Sequence, residues 1–470
     1  MRVLLTNSPL QFYHRTAFFF RDQGAVNLAI LATVIGQKHE VRIVDNWHYV
    51  FRHEGIFKEL EKCQFKVSTD TRKDISGSIY FALKGENFDG NTFIHQALKK
   101  GAVGAVTDDP EIAGENIYLV DDVLKTLQEM AKKYRKLFKI PIIVIGGSNG
   151  KTTSKELVVE VLKIKYKVHA TIGSLNNHIG VPLSLLSMNR NTRIGIFEIG
   201  ANHPKEHLEL LDILHPTHVV VTNNGMDHLE GFGSPKNVRK ANKEIYDWAL
   251  LHSGKAFVNK NYHDLVNDSQ NIEKILYPIY DLKIISGTPL TIKLNSQKYQ
   301  TQLTGNYNLE NIQLALSVGT YFKIDPNSAL QAICNYVPTS KRSQFMSKNG
   351  IDFVVDCYNA NPTSMKLSLD SFLETYKHPK GVILGDMLEL GNYSEEEHKK
   401  ITEYIGQQNL DCVIYIGENF KKALLGNGLK HKWFANSQSA KKWFVSQKFD
   451  RFTFFLKGSR GIKVEKILDK

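Results

Sequence analysis

The chain has 470 residues, of which 42% are hydrophobic and 23% charged, and its formal net charge is +12. This length is too great for one hydrophobic core, and the composition excludes a disordered or fibrous protein, so several globular domains are expected. The lysines are dispersed in short runs such as Lys99-Lys100, without an arginine-rich or aromatic-interleaved motif. We therefore expect no nucleic-acid partner.

Two further features bear on the compartment. No apolar run is long enough for a transmembrane helix, and the N-terminus becomes polar at once, unlike a secretory signal. The four cysteines form no CxxC pair, which argues against a zinc site or a disulfide framework; they are Cys63, Cys334, Cys357 and Cys412. We expect each to be a buried small hydrophobic side chain in a cytoplasmic protein without a membrane partner.

The first predicted elements are a strand, a helix and a strand within residues 1–50, with the helix at about residues 24–35. This pattern resembles the first βαβ piece of a cobalamin-binding radical-SAM protein. It lacks a cofactor-binding histidine motif and a CxxxCxxC cluster, so a packing module is expected instead of that chemistry. The segment 66–121 has short strands, many turn residues and one helix near residues 94–100, which predicts a small mixed α/β domain.

From about residue 140 onward, short β-branched runs alternate with helical patterns, which is typical of parallel α/β domains. The runs lie at residues 141–145, 193–198, 218–222, 352–356, 381–385, 412–417 and 452–457. Well over a hundred residues separate the first three from the last four, so two α/β domains are expected. The predicted division of the chain is 1–50, 51–121, 122–332 and 333–470.

The segment GGSNGKTT, residues 146–153, follows a predicted strand and precedes a helical stretch at 154–165. Glycines let the backbone amides and the helix N-terminus face phosphate oxygens. The Lys151 side chain is then expected to reach the β- and γ-phosphates, and the Thr152 hydroxyl to bind Mg²⁺. The alternative is a glycine-rich turn with an incidental lysine, which the flanking elements disfavour. The predicted cofactor-binding residues are Gly147, Ser148, Asn149, Gly150, Lys151, Thr152 and Thr153.

A Mg²⁺-bound triphosphate needs further ligands from neighbouring strand ends. Glu198 ends one predicted strand, and His228 follows the next. Because the chain has 17 histidines, a surface or core role stays open for His228, as it does for Glu198. We expect Thr152, Glu198 and His228 as metal ligands, and Lys151, Glu198 and His228 as the catalytic residues.

From about residue 65 onward, many short sequence motifs resemble those of the Mur ligase family. They include VSTDTRK at 67–73, FALKGENFDGN at 81–91, GKTT at 150–153, LNNHIGVPL at 175–183, EIGANH at 198–203, HLEGFGS at 228–234, GNYNLEN at 305–311, RSQ at 342–344, DCYNANPTSM at 356–365, LGDMLELG at 384–391 and KGSRG at 457–461. The resemblance implies a three-domain α/β architecture. A small mixed UDP-binding domain, a central P-loop ATPase domain and a C-terminal Rossmann-like domain would follow the short βαβ-like extension.

The strings of the C-terminal domain resemble the branch of the family that adds a dipeptide. That branch implies an ATP- and Mg²⁺-dependent, ADP-forming ligase that joins D-alanyl-D-alanine to a UDP-N-acetylmuramoyl tripeptide in cytoplasmic peptidoglycan precursor synthesis. The expected state is a monomer. Two alternatives stay open: a paralogue that adds another amino acid or dipeptide to a different UDP-sugar acid, and a nucleotide-binding protein that has lost ligase activity.

The resemblance also assigns roles to individual residues. Those implied for the UDP-linked substrate are Ser68, Thr69, Asp70, Thr71, Arg72, Asn87, Asp89, Asn176 and Asn177. Those implied for the nucleotide are Asn311, Arg342 and Asp356, and those for the incoming dipeptide are Asn359, Asn361 and Ser364. For Asp89 a plain turn with Gly90 stays open as the alternative, whereas Ser394 with Glu397 has the spacing of a helix-capping box and is assigned no function.

One position departs from the family. Many members carry a lysine, carbamylated by CO₂, that helps hold a second Mg²⁺, fourteen positions after the metal histidine. This chain has Asn242 there, and asparagine cannot be carbamylated. The neighbouring Lys243 is rotated by about 100° on a helix, so it could substitute only if the helix shifted register. The sequence therefore predicts a changed second metal site.

Overall fold

The computed structural model describes residues 3–6, 41–44, 47–338, 342–425 and 431–469. They belong to two compact units, Met1–Tyr134 and Arg135–Lys470. In the first unit, strands β1 (Val3–Thr6) and β2 (Val41–Val44) pair in parallel. This agrees with the two strands predicted for the extension. The helix predicted at 24–35 lies outside the described residues.

The remainder of the first unit is a small mixed domain built on a parallel sheet of order β3-β4-β7-β8. Its elements are α1 (Trp47–Lys62), β3 (Val67–Ser68), β4 (Ile79–Phe81), β5 (Lys84–Gly85), β6 (Phe88–Asp89), a 3-10 turn (Gly90–Phe93), α2 (Ile94–Lys99), β7 (Gly104–Thr107), β8 (Ile117–Leu119) and α3 (Val123–Arg135). On α1, the buried residues His53, Ile56 and Leu60 recur at helical spacing, so one face of the helix is covered. The predicted mixed α/β domain and its helix near 94–100 are confirmed.

The second unit begins with a six-stranded, all-parallel sheet of order β10-β11-β9-β12-β13-β14. Its elements are β9 (Ile142–Gly146), α4 (Lys151–Lys163), β10 (Val168–Ala170), α5 (Gly180–Leu186), β11 (Ile194–Glu198), α6 (Glu206–Leu214), β12 (His218–Val221), α7 (Leu229–Phe232), α8 (Pro235–Leu251), β13 (Lys255–Asn259), α9 (His263–Asp268) and β14 (Glu273–Tyr277). Every residue of β9, β11 and β12 is buried, because helices cover both faces of a parallel sheet. The first three predicted strands are confirmed.

A small antiparallel sheet, which the sequence patterns did not predict, follows in the chain. Its strands are β15 (Lys283–Gly287), β16 (Leu290–Leu294) and β17 (Gln297–Gln300), and α10 (Asn308–Tyr321) and α11 (Pro326–Asn335) come next. Along β16, Leu290, Ile292 and Leu294 are buried, whereas the residues between them are partly exposed. That alternation is the period-two pattern of a strand with one buried face.

The last six strands form a second sheet of order β18-β19-β23-β20-β21-β22, parallel except for β18. Its elements are β18 (Gln344–Lys348), β19 (Ile351–Asp356), α12 (Pro362–Thr375), β20 (Lys380–Gly385), α13 (Ser394–Gly406), β21 (Cys412–Ile416), α14 (Glu418–Leu424), β22 (Lys432–Phe434), α15 (Ser437–Ser446) and β23 (Thr453–Lys457). Val382 and Leu384 of β20 pack on one face, and Ile383 packs in a cluster on the other. The predicted Rossmann-like domain and its four strands are confirmed.

Two smaller expectations are wrong. Cys357 is buried, but the other three cysteines are only partly buried, because they lie at an element end or near the surface. Ser394 is the first residue of α13 and does not cap it, since the N-cap is Tyr393 and makes no side-chain cap bond. Glu397 instead pairs with Lys400.

None of the helices in the described ranges is long and apolar enough to cross a bilayer.

Candidate active site

A cavity of about 720 Å³ lies within the second unit, where loops of its two six-stranded sheets meet. It brings together most of the residues that the sequence assigned to nucleotide, metal and dipeptide. The predicted residues that line it are Ser148, Asn149, Gly150, Lys151, Thr152, Thr153, Asn176, Asn177, Glu198, His228, Asn311, Arg342, Asp356, Asn359, Asn361 and Ser364. Gly147 does not line it but shapes the loop that does.

The phosphate loop has the predicted strand–loop–helix context, since β9 ends at Gly146 and α4 begins at Lys151. Gly150 has a φ of +83°, and a Cβ atom added there would lie 2.6 Å from Asn311 Oδ1. Only glycine fits this close approach without strain. The Lys151 ammonium lies over the loop and donates to the carbonyl oxygens of Gly147 at 2.6 Å and Ser148 at 3.0 Å.

Glu198 is a buried acidic group of the site. It is 2% exposed at the end of β11, and it accepts a hydrogen bond from Thr152 Oγ1 at 2.7 Å. Its second carboxylate oxygen accepts from Asn176 Nδ2 at 2.9 Å. A hydroxyl and a carboxylate so close together are the oxygen donors that Mg²⁺ prefers. Asn177 does not share this contact, because its Oδ1 accepts the N–H groups of Ile179 and Gly180 at the start of α5.

A buried lysine supports the same part of the cavity. Lys155 is 2% exposed and donates to the carbonyl oxygens of Thr171 at 2.8 Å and Gly173 at 3.1 Å. Burial lowers the pKa of this ammonium. The Thr171 hydroxyl in turn accepts the backbone N–H of Glu198 at 3.1 Å. Lys155 therefore links α4 to the loop before Asn176, a role that the sequence did not predict.

His228 lies at the N-cap of α7 with a left-handed φ of +48°. Its Nδ1 is 2.6 Å from Glu389 Oε2, on the loop after β20. The hydrogen bond from His228 lowers the pKa of the Glu389 carboxyl. A group from a loop of the C-terminal sheet thus reaches the predicted metal ligand of the middle sheet, a contact that no sequence pattern predicts.

The loop after β12 supplies two groups that were missed. The Ser148 hydroxyl donates to Asp227 Oδ1 at 2.5 Å. The backbone N–H of Asn149 donates to Asn223 Oδ1 at 3.1 Å. Asn223 and Asp227 lie just beyond a predicted strand. Ligands bind at the carboxyl ends of parallel strands, so this position could have marked both residues as candidates.

The residues predicted to contact the nucleotide are held by protein partners. Asn311 accepts from Ser154 Oγ at 2.9 Å and donates to Asn308 Oδ1 at 2.9 Å, which ties α10 to α4. Asp356 lies 2.5 Å from the ammonium of the buried Lys457. The Arg342 guanidinium stacks 3.6 Å from the ring centre of Tyr358. Lys457 and Tyr358 were not predicted, and the nucleotide contacts of Asn311, Arg342 and Asp356 stay predictions.

The dipeptide candidates lie at the start of α12. Asn361 caps this helix, since its Oδ1 accepts the N–H of Ser364 at 2.8 Å, and Ser364 Oγ accepts the N–H of Asn361 at 3.1 Å. Such a reciprocal cap is a structural role. Asn361 Nδ2 also donates to Asn149 Oδ1 at 2.8 Å, so the cap touches the phosphate loop. Asn359 is exposed in the same loop.

The residues predicted for the UDP-linked substrate, apart from Asn176 and Asn177, lie in the first unit. Asp70 pairs with Arg72 through two hydrogen bonds of 2.8 and 2.9 Å, and the bond from Arg72 lowers the Asp70 pKa to about 2. Thr71 is buried near Gln96, whereas Ser68 and Thr69 are partly exposed and Asn87 is exposed. Asp89 caps the 3-10 turn through the N–H of Asn91, so the turn interpretation is confirmed. The substrate roles stay predictions.

Asn242 is 4% exposed on α8. Its Nδ2 donates to Asn224 Oδ1 at 2.9 Å, and Asn224 Nδ2 donates to Asp264 Oδ2 at 2.7 Å. Lys243 is on another side of the helix, in an ion pair with Asp247 near the surface. The helix has therefore not shifted register to bring Lys243 into the place of Asn242.

Comparison with known proteins gives the same family along the chain. Family models described as "Mur ligase family, catalytic domain", "Mur ligase middle domain" and "Mur ligase, glutamate ligase domain" match residues 66–135, 145–319 and 341–459. A Bacillus subtilis (strain 168) protein named UDP-N-acetylmuramoyl-tripeptide–D-alanyl-D-alanine ligase is 35% identical over 428 residues, which cover 86% of this chain and 92% of that protein. The Haemophilus influenzae protein of the same name is 30% identical over 437 residues, with the same coverages.

A solved structure has the same fold. The crystal structure of MurF from Acinetobacter baumannii superposes with a TM-score of 0.78 at 24% identity, covering 87% of this chain and 97% of that one. The predicted three-domain architecture is thereby confirmed. Together with the P-loop, the Thr152–Glu198 pair and the strings around them, these relatives establish that the chain belongs to the Mur ligase family.

Proposed function

We propose that the protein joins D-alanyl-D-alanine to a UDP-N-acetylmuramoyl tripeptide in an ATP-dependent, ADP-forming reaction of peptidoglycan precursor synthesis in the cytoplasm. The observation that carries the proposal is the cavity where a P-loop, a buried carboxylate and a helix cap of the C-terminal domain meet. The relatives named for this reaction, at 30 to 35% identity over most of the chain, support the choice of substrates.

The proposed reaction has two steps. A carboxylate oxygen of the tripeptide attacks the γ-phosphorus of ATP, the bond to the β,γ-bridging oxygen breaks, and ADP leaves with an acyl phosphate formed. The free amine of D-alanyl-D-alanine then attacks the acyl carbon, and phosphate leaves as the amide bond forms and the amine loses a proton. The protein contributes positioning and charge neutralisation, which dominate catalysis of phosphoryl transfer.

In this proposal the amides of residues 147–152 and the Lys151 ammonium bind the triphosphate. Lys151 already lies against the loop carbonyls, so a short movement of its flexible side chain brings it to phosphate oxygens. Asn361 and Ser364 form the N-terminal cap of α12, and Asn361 holds this cap against Asn149 of the phosphate loop. This contact supports a role for the loop before α12 in presenting the dipeptide amine.

The Thr152 hydroxyl and the Glu198 carboxylate fit a magnesium ion, which usually binds one or two protein carboxylates and completes its shell with phosphates and water. Within the described ranges, no group of three or more His, Cys, Asp or Glu side chains is arranged to hold a metal. Thr152, Glu198 and His228 would hold the metal. When bound, Mg²⁺ would neutralise charge that develops on the transferred phosphoryl group.

The test is phosphate release from ATP by the purified protein, with UDP-N-acetylmuramoyl tripeptide and D-alanyl-D-alanine added singly and together. Release that requires both substrates is the expected result. If phosphate is released only with another amino acid or another UDP-sugar acid, the proposal is wrong and the protein is a paralogue with different substrates. The absence of release with any acceptor, from a protein that still binds ATP, would favour a nucleotide-binding protein without ligase activity.

We further propose that the site works without a carbamylated lysine. The buried Asn242 forms a hydrogen-bonded chain through the partly buried Asn224 to Asp264 and occupies this position, so removal of CO₂ and bicarbonate is expected to leave phosphate release unchanged. Asn242→Lys breaks that chain at a buried position, which costs about 1–3 kcal/mol of stability, and turnover is expected to fall. The readouts are turnover with and without bicarbonate and the unfolding midpoint.

Lys243→Gln provides the matched control, because Lys243 is a neighbouring lysine paired with Asp247 near the surface. Its turnover is expected to equal that of the wild type. A wild-type rate that collapses without CO₂ and returns with bicarbonate, or full wild-type turnover in Asn242→Lys, would contradict the proposal.

A further inference from the structure

The contact between His228 and Glu389 joins two strained backbone positions. His228 has a φ of +48° and Glu389 a φ of +64°, both in the left-handed region that non-glycine residues seldom adopt. Such conformations persist only where surrounding contacts fix them, and they cluster at functional sites. Here the contacts that fix them also bring Nδ1 of the ring to 2.6 Å from Glu389 Oε2.

The contact with Glu389 determines which ring nitrogen of a neutral His228 carries the proton. An ionised carboxylate only accepts hydrogen bonds, so the ring nitrogen that faces it must carry the proton. In a neutral imidazole the lone pair then resides on Nε2. Nε2 makes no hydrogen bond to any residue in the described part of the chain. Histidines that bind metals commonly have this arrangement, with a carboxylate holding the other ring nitrogen.

The loop that carries Glu389 is anchored along its length. Asp386 accepts the N–H groups of Asn419 and Phe420, each at 2.9 Å. The N–H of Met387 donates to Nε2 of the fully buried His398 at 3.0 Å, and that of Leu388 to Ser459 Oγ at 2.9 Å.

The carbonyl oxygen of Glu389 itself accepts the N–H of Glu230, two residues after His228, at 2.9 Å. On the other side of the contact, a Cβ atom added at Gly391 would lie 3.2 Å from the Glu230 Cα. The loop is therefore fixed both to its own domain and to the segment that carries His228.

We infer that Glu389 is a positioning residue for metal binding: it holds the His228 ring so that Nε2 is the ligand atom, and it makes the C-terminal domain part of the metal site of the middle domain. The inference rests on the proposed function, in which His228 holds a metal ion. Because the Glu389 side chain is 53% exposed, the ion pair itself contributes little to stability. Its effect is therefore expected in metal affinity and not in the unfolding midpoint.

The experiment measures Mn²⁺ binding by the loss of the free-ion electron paramagnetic resonance signal, with the full chain and ADP. Four proteins are compared: wild type, Glu389→Ala, His228→Ala and the double variant. Loss of a carboxylate behind a metal-bound histidine typically weakens metal binding by about 10- to 100-fold, and this is expected for Glu389→Ala. Because Glu389 acts through His228, the double variant is expected to bind Mn²⁺ no more weakly than His228→Ala.

Glu230→Ala is the matched control. Its side chain is exposed and makes no hydrogen bond or ion pair within the described ranges, whereas its backbone keeps the bond to Glu389. Mn²⁺ affinity equal to that of the wild type is expected for it. Wild-type Mn²⁺ affinity in Glu389→Ala, or a Glu389→Ala loss that adds fully to that of His228→Ala, would overturn the inference. Failure of the proposed function would appear separately, as no substrate-dependent phosphate release by the wild type.

Discussion

Replacing Glu198 with glutamine is expected to reduce substrate-dependent phosphate release by about 10²- to 10³-fold. The reason is the loss of the buried negative charge beside Thr152, at 2.7 Å, where the proposal places the metal. A metal ion contributes several kcal/mol of charge stabilisation in such transition states, and about 1.4 kcal/mol corresponds to a tenfold change in rate. The measurement is turnover over a range of Mg²⁺ concentrations.

Glu198→Gln also changes the hydrogen bonds, because Thr152 and Asn176 both donate to this side chain. Glu198→Asp keeps the charge and both acceptor oxygens but retracts them by one methylene group, so an intermediate loss that higher Mg²⁺ partly restores is expected. Glu160→Gln, at a surface ion pair on α4, is the matched control and should keep wild-type turnover. Turnover of Glu198→Gln within a few-fold of the wild type would contradict the role of Glu198.

Replacing Lys151 with methionine is expected to reduce phosphate release by about 10²- to 10³-fold, the cost of removing one preorganised group that neutralises charge in a transition state. Methionine retains much of the length of the side chain but has no charge to offer the phosphates. The apparent KM for ATP is expected to rise as well, since the ammonium would also contact the bound triphosphate. Steady-state kinetics with varied ATP separate the two effects.

Lys163→Met is the control for this variant, because Lys163 lies on the same helix but in a surface ion pair with Glu160. Lys151→Arg tests geometry at constant charge. A planar guanidinium does not replace a compact ammonium in a narrow loop, so a loss of turnover is expected there too. Wild-type kcat and KM in Lys151→Met, at an unchanged unfolding midpoint, would remove Lys151 from the mechanism.

Much of the site could be predicted where its signal is local. The loop GGSNGKTT needs glycines, which let its backbone curl around phosphate, and a helix that begins directly after it. Both requirements concern residues adjacent in the sequence, so they can be recognised there. Glu198 was predicted because a carboxylate at the end of a buried β-branched run must lie at the edge of the sheet. The Asp89 turn and the helix near 94–100 were predicted for the same reason, since short-range patterns specify them.

Other parts were wrong or not predicted, either because the local pattern is weak or misleading or because the partners are far apart in the chain. Ser394 and Glu397 have capping-box spacing, yet the helix begins one residue earlier than that pattern requires. The antiparallel strands β15, β16 and β17 are short and partly exposed, so their alternation is weak in the sequence. Ser148 and Asp227 are 79 positions apart; each follows a predicted strand, but no pattern in the sequence pairs the one with the other.

The sequence by itself determined seven strands of the two large sheets, the phosphate loop and the family, because each depends on side chains within a few positions or on several sequence motifs together. Only the tertiary structure decided which groups meet: Glu389 at His228, Lys457 at Asp356, and Asn224 at Asn242. The physical reason is that hydrogen bonds act over about 3 Å, so their partners are chosen by the packing of sheets and helices and not by distance along the chain.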